Sequence, residues 1–386
     1  MIYFDSAATT LQKPPEVAWM TARAISNYSS VGRGGHRAAM AAADAVFGCR
    51  ELAGRLFDAE PEQVVFTMNA THGLNIAVKS LVHGGDRVVI SGFEHNAVVR
   101  PLYALGAEVA VAGRRLFDTA DTLAEFDRLL TPDTKAAVCT CVSNVFGYIL
   151  PVEEIAGLCR ERGIPLILDA SQAAGALRVS LRNSGAAFIA MPGHKGLYGP
   201  QGTGILLCAD GGEPLIQGGT GSNSADQAMP DFLPDRLEAG THNVCGIAGL
   251  AEGIRYVLKR TPQAIFSHER RLLRRMRSVL ERTEGIRPFF GEAQSGVVSF
   301  VTERIDCEEA AQRLSELGIA VRAGLHCAPV AHTSGGTFTT GTVRLSFSAF
   351  NTEEEIRRFA GLCGKVFSAG KEKPRIPTCY CGENRL

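Results

Sequence analysis

The sequence predicts an α/β fold: a large domain on a mostly parallel sheet, followed by a smaller C-terminal α+β domain. Three observations predict it. Five short runs rich in Val, Ile and Leu are too uniformly apolar for half-exposed strands and read as strands buried on both faces. Helix-like segments separate them, and strand–helix alternation over such a length gives a parallel sheet covered on both sides. After about residue 260 the alternation gives way to long polar helices and isolated strands, the mark of a second unit.

The five runs are VVFTM (64–68), RVVIS (87–91), AAVCTCV (136–142), PLILDA (165–170) and GILLCA (204–209). Between them, THGLNIAVKSLV (71–82), TLAEFDRLL (122–130) and VEEIAGLCRERG (152–163) have helical spacing, and Gly163 is placed to end the last. In the second unit, SHERRLLRRMRSVLERT (267–283) reads as a strongly basic helix and SGVVSFVTE (295–303) as a strand. CEEAAQRLSELG (307–318) is a further helix, and AVRAG (320–324) and TVRLSFSAF (342–350) hold short strands. TEEEIRRFAGLCGKVFSA (352–369) closes as a helix, opened by Thr352 with Glu355 three residues on, a capping box. The expected divisions are an N-terminal segment (1–14), a large domain (15–260), a small domain (261–373) and a Cys-containing tail (374–386).

The chain has 386 residues, more than the ~100–200 of one ordinary domain. Apolar residues make up 45% and charged residues 21%, which excludes disordered and fibrous classes. Lys+Arg and Asp+Glu both number 40, so no long-range field gathers a phosphodiester backbone, and no nucleic-acid partner is expected. No apolar stretch approaches the ~20 residues that span a bilayer. MIYFDSAATT at the start carries Asp5 and no basic n-region, so it is not read as a signal peptide, and a cytoplasmic location is expected. The eleven cysteines are then mostly buried thiols, with Cys327, Cys379 and Cys381 the ones to question. No metal site is expected.

The richest segment is AMPGHKGLYGPQGTGIL (190–206), which sets Lys195 in a glycine-rich turn before a strand. A lysine there can approach a carbonyl cofactor closely enough to form a Schiff base, although the turn alone would suit a surface lysine equally. ILDASQAAG (167–175) ends a strand with Asp169, and Gln172 follows. A carboxylate at a strand end points into the ligand crevice, where it needs a cationic partner such as the pyridinium of pyridoxal phosphate. Lys195 lies 26 residues on, one helix and one strand away, which brings both strand ends to one crevice. MNATHGLN (68–75) opens a helix after a strand, so Ala70, Thr71 and His72 can offer backbone N–H groups and a hydroxyl to a phosphate. FEHNAVVRPL (93–102) places His95 where an imidazole can lie flat on a pyridine face.

The order Thr71, His95, Asn144, Asp169, Gln172, His194–Lys195 resembles the class V aminotransferase-like, fold-type I pyridoxal phosphate enzymes, within them the cysteine desulfurase and selenocysteine lyase branch. The likeness runs from FDSAATT (4–10) to FNTEEEIRRF (350–359). It implies that Lys195 bears the cofactor's covalent link, Asp169 pairs with its ring nitrogen, and Gln172 reaches its ring hydroxyl. His95 would stack on the ring, Asn144 would sit near the ring hydroxyl and the substrate, and Thr71 and His194 would hold the phosphate. In EAGTHN (238–243), Thr241 matches the residue that reaches the neighbouring subunit's phosphate, which implies a homodimer. One departure is Pro192, where the family usually has Ser or Thr; proline offers neither hydroxyl nor N–H, so one phosphate contact is lost or supplied otherwise.

RAGLHCAPVAH (322–332) resembles the Arg-x-Gly-x-His-Cys-Ala-x-Pro pattern of group II desulfurases, with Pro329 one position early. It makes Cys327 the nucleophile, with Arg322 and His326 as neighbours suited to stabilise a thiolate. Arg344 in VRLSFSAFNT (343–352) matches the arginine that takes a substrate carboxylate, for which a guanidinium fork is well shaped. GRGGHRAA (32–39) resembles a segment that closes over the site, with His36 at the entrance. The implied reaction converts L-cysteine to L-alanine and leaves a persulfide on Cys327 for a sulfur-acceptor protein. Two alternatives stay open: selenocysteine lyase or selenium delivery from L-selenocysteine, and a small-substrate class V aminotransferase in which Cys327 is incidental. For Cys379 and Cys381 the expectation divides between a plain polar tail and a sulfur relay.

Overall fold

The computed structural model describes residues 1–31 and 34–367. The tail 374–386, with Cys379 and Cys381, lies outside them, as do Gly32 and Arg33 of the expected closing segment.

The elements begin with β1 (Ile2–Tyr3), α1 (Pro15–Asn27) and α2 (Arg37–Phe57). The alternating region follows: β2 (Val64–Thr67), α3 (Ala70–Leu81), β3 (Arg87–Ser91), α4 (Asn96–Leu105), β4 (Glu108–Ala112), α5 (Thr119–Leu129) and β5 (Thr134–Thr140). It continues through α6 (Val152–Glu161), β6 (Leu166–Asp169), α7 (Leu181–Ser184), β7 (Phe188–Pro192) and β8 (Gly204–Cys208). All five apolar runs form strands, and the three helices expected between them form with ends shifted by up to three residues. Strands β1, β4 and β7 and helices α1, α2, α4 and α7 add to those expected.

These strands make one seven-stranded sheet in the order β2-β8-β7-β6-β5-β3-β4. Only β8 runs against the others, so the sheet is mixed but mostly parallel. The two-residue period of a strand is visible in its packing. Val89, Cys139 and Leu168 face one core with α2, α5 and α6, while Val88, Val138 and Ile167 face another with α3 and α4. Full apolarity of these strands follows from this double burial.

The chain then runs α8 (Val244–Arg260), α9 (Pro262–Leu280), β9 (Ile286–Pro288), β10 (Val297–Thr302), α10 (Cys307–Glu316), β11 (Ile319–Ala320) and β12 (Arg322–Gly324). It ends in α11 (Pro329–Ser334), β13 (Thr342–Ser346) and α12 (Glu353–Phe367). An antiparallel sheet of order β12-β13-β10-β9 forms a separate core with α9, α10 and α12. The capping box is present at α12: Thr352 N donates to Glu355 Oε2 at 2.7 Å, and Glu355 N to Thr352 Oγ1 at 3.3 Å. Helix α8 instead packs on α1 and α2.

The N-terminus crosses to this second core. Strand β1 pairs in parallel with β11, and Ile2 and Phe4 are buried there. Phe4 meets Phe347 and Phe359 edge to face, with ring centroids 5.4 and 6.0 Å away. Among the described residues no helix is long and apolar enough to cross a membrane. Phe4→Ala should remove this fully buried ring and lower unfolding stability by about 3–5 kcal/mol. A denaturant midpoint that does not move would show that the N-terminal segment is not packed this way.

Candidate active site

Strands β2, β3, β5, β6 and β7 all end on one edge of the large sheet. The chain leaves β3 toward β4 on one side and returns to build β5, β6 and β7 on the other. That reversal opens a crevice at the carboxyl ends of the strands. One cavity there is lined by Thr71 after β2, His95 after β3, Asn144 after β5 and Asp169 at the end of β6. Gln172 follows β6, and His194 and Lys195 follow β7.

Each side chain is held by a local cause. Asp169 is 3% exposed, and its Oδ1 accepts from Ser171 N at 2.8 Å. His95 caps α4: its Nδ1 accepts from Ala97 N at 3.0 Å, which leaves the ring proton on Nε2 when the imidazole is neutral. Gln172 Nε2 donates to the Ala7 carbonyl at 3.0 Å. The Lys195 turn needs glycine beneath it. Gly175 has φ +88°, and a Cβ there would meet the Gly196 carbonyl oxygen at 2.0 Å. The His194 carbonyl accepts from Thr10 N at 3.1 Å, Thr10 Oγ1 at 3.0 Å and Thr9 Oγ1 at 3.2 Å, which clamps that turn from the N-terminal segment.

Burial controls the charges. It lowers the Lys195 amine to about 8, against the upward pull of Asp169, while Arg344 and Arg322 push it further down. His95 and His194 are both lowered to about 4 by burial, with Lys195 adding to each. Both imidazoles are therefore neutral at pH 7. Glu94, beside His95, is raised to about 8 by burial; its Oε1 accepts from Ser91 Oγ at 2.5 Å and Thr140 N at 2.7 Å.

The residues fit pyridoxal phosphate. An amine, a buried carboxylate and a neutral imidazole share one cavity with the N-terminus of α3, whose Ala70 and Thr71 amides lie in the first turn, where the helix has no acceptor for them. His194 Nδ1 is buried without a partner among the described residues, as an atom awaiting a ligand acceptor or donor would be. His72 differs from expectation. Its amide donates to the N-cap Asn69 Oδ1 at 2.9 Å, and its side chain lines a neighbouring cavity. Asn69 competes for the third amide because it is itself a helix cap.

Thr241 also lines that neighbouring cavity. Its loop is anchored by Glu238, whose Oε1 accepts from Arg50 Nη1 at 2.8 Å and from Phe66 N at 2.5 Å. His36 is exposed, caps α2 through Nδ1 to Ala39 N at 3.4 Å, and is not among the lining residues of the Lys195 cavity.

Cys327 is the one exposed thiol among the described residues. It lies between β12 and α11, and both His326 and Cys327 hold left-handed backbone, at φ 49° and 56°. The loop is nonetheless pinned: Asn96 N donates to the Cys327 carbonyl, and Asn144 Nδ2 to the His326 carbonyl, each at 2.8 Å. Arg322 Nη2 lies 4.0 Å from Cys327 Sγ. His326 is buried, with Nε2 3.1 Å from Thr342 Oγ1, and burial lowers its pKa well below the usual value, so it offers Cys327 no cation at pH 7. Arg344, 1% exposed, donates through Nη1 to the Asn144 carbonyl at 2.9 Å.

Sequence reasoning missed four residues at or beside the site. Glu94, buried beside the cavity, was visible as an acid shortly after a buried strand, Ser171 lies inside the Asp169–Gln172 motif, and Asn69 caps the phosphate-side helix. Asn96, on the exit of β3, carried no signal of its contact with the Cys327 loop.

A sequence model of the class V aminotransferase family matches residues 2–359. A probable cysteine desulfurase of Pyrococcus abyssi is 32% identical over 94% of this chain and 93% of its own. Another, of Xylella fastidiosa, is 33% identical over 95% and 91%. The apo structure of a cysteine desulfurase from Thermococcus onnurineus NA1 superposes with a TM-score of 0.87 at 30% identity, over 95% of this chain and 94% of that one.

In the apoprotein, the Lys195 amine should titrate near pH 8, read from the pH dependence of its modification by an amine reagent. Asp169→Asn should move that midpoint lower, because it removes the anion that holds the ammonium form. An unchanged or higher midpoint would mean that Asp169 does not act on the amine.

Proposed function

The chain belongs to the class V aminotransferase family, and we propose that it is a pyridoxal phosphate-dependent cysteine desulfurase that forms a persulfide on Cys327. The observation that carries the reading is the convergence of Lys195 and Asp169 in one cavity with an exposed thiol pinned beside it through Asn96 and Asn144.

Asp169 would hold the cofactor's ring nitrogen, His95 its ring face, Gln172 its hydroxyl, and Thr71, the Ala70 amide and His194 its phosphate. Thr241 would complete that phosphate site from a second copy of the chain, so the working unit is a homodimer. When bound, the cofactor supplies an electron sink for the substrate α-carbon. Arg344 takes the substrate carboxylate, and Arg322, paired opposite it on β12, sets a positive charge 4.0 Å from Cys327 Sγ. Lys195, lowered to about 8, is uncharged often enough at neutral pH to remove the α-proton. The Cys327 thiolate attacks the substrate sulfur: an S–S bond forms, the C–S bond breaks, and its electron pair stays with carbon. Protonation of that carbon yields L-alanine, and Cys327 retains the sulfane sulfur for an acceptor protein. Such chemistry belongs in a compartment that keeps thiols reduced, and the cytoplasm is proposed.

Lys195→Ala should leave no borohydride-reducible link between cofactor and chain. Retention of that link would reassign the lysine. Cys327→Ser should keep cofactor absorbance and lose more than about a hundredfold in sulfur transfer from L-cysteine. Alanine released without a keto acid acceptor identifies desulfuration, and a requirement for the acceptor identifies a transaminase. Selenide release from L-selenocysteine that survives Cys327→Ser would mark the selenium reaction as independent of this thiol.

A further inference from the structure

Asp5 has no part in the chemistry above, yet it touches the carboxylate-binding arginine. Its backbone bridges to Ser346 at the end of β13, and its Oδ1 accepts from Arg344 Nη2 at 2.8 Å. The other Nη of Arg344 donates to the Asn144 carbonyl. With a carboxylate on one arm and a carbonyl on the other, the guanidinium plane cannot turn. Its Nε–H remains buried and without an acceptor among the described residues. A buried N–H in this condition is costly, so the position calls for an acceptor brought by a ligand.

The same segment reaches the amine end of the site. Ala7 N donates to Ser346 Oγ at 2.8 Å, the Ala7 carbonyl receives Gln172, and Thr9 and Thr10 clamp the His194 carbonyl one residue before Lys195. Six residues, Asp5 to Thr10, therefore span from the carboxylate-binding arginine to the lysine turn.

We propose that Asp5 is a positioning residue for substrate specificity: it locks Arg344 so that the unpartnered Nε–H edge receives the α-carboxylate of an amino acid at a fixed distance from Lys195. This rests on the reading of Arg344 given above. Asp5 selects for the carboxylate, not for the amine or the side chain.

The test compares L-alanine with L-alaninamide, which has the same amine and methyl group without the carboxylate. Each is titrated into the holoenzyme and followed by cofactor absorbance. Asp5→Ala should weaken L-alanine by about tenfold and leave L-alaninamide within about twofold. Asp5→Asn, which keeps an acceptor oxygen without the charge, should weaken L-alanine by only about two- to threefold and serves if the alanine variant does not fold. Equal weakening of both ligands would reduce Asp5 to a structural role and overturn the proposal. Tighter L-alanine binding in Asp5→Ala would overturn it too, since Asp5 would then compete with the substrate. Arg344→Ala separates the two readings: if it fails to abolish the preference for L-alanine over L-alaninamide, the carboxylate site lies elsewhere and both fall. If it abolishes the preference while Asp5 variants keep it, only the Asp5 proposal falls.

Discussion

A guanidinium buried to 1% exposure is costly unless most of its protons find partners, and through those partners Arg344 joins three segments at once. It draws Asp5 from the chain start and the Asn144 carbonyl from the turn after β5, and it stands on β13 in the second core. The N-terminal segment is thereby drawn across both cores, with Ile2 and Phe4 in one and Thr9 and Thr10 on the lysine turn of the other. Register does the rest. Antiparallel pairing of β12 with β13 sets Arg322 opposite Arg344, and the Arg322 guanidinium reaches to 4.0 Å from Cys327 Sγ.

This concentration of positive charge acts on Lys195, His95 and His326. Burial is the larger influence on Lys195, His95 and His194, and the arginines or the lysine itself add to it in the same direction. The outcome is a lysine poised near neutrality and imidazoles that stay uncharged. Asp169 is the counterweight, and without it the amine would lie lower still. The Cys327 loop shows a related trade. Two consecutive left-handed residues cost of order 1–3 kcal/mol each. The hydrogen bonds from Asn96 and Asn144 hold that conformation and keep the thiol at the surface.

Much of the large sheet was legible because double burial forces uniform apolarity, and VVFT, RVVIS and LILD carry it openly. β4 was not legible: its burial is partial, so its pattern is weaker than that of its neighbours. α2 escaped because its Ala-rich face packs through small side chains such as Ala42 and Ala53. In the site, Lys195, Asp169 and Gln172 were readable because their motifs are local. His72 was misplaced because a cap residue, Asn69, takes the amide that a phosphate was expected to use.

By itself the sequence determined which residues are candidates for the chemistry: the lysine in a glycine-rich turn, the aspartate at a strand end, and the thiol in a Gly/His/Pro loop. These are matters of local residue type and spacing, and local spacing is what a sequence records. Only the tertiary structure decided how far apart those groups are held and what protonation each prefers. Asp5 lies 339 positions from Arg344, and Asn144 lies 182 from His326. Contacts of that separation depend on the packing of two cores against one another, and desolvation, the largest influence on each shifted group in the cavity, exists only once the chain has closed around them.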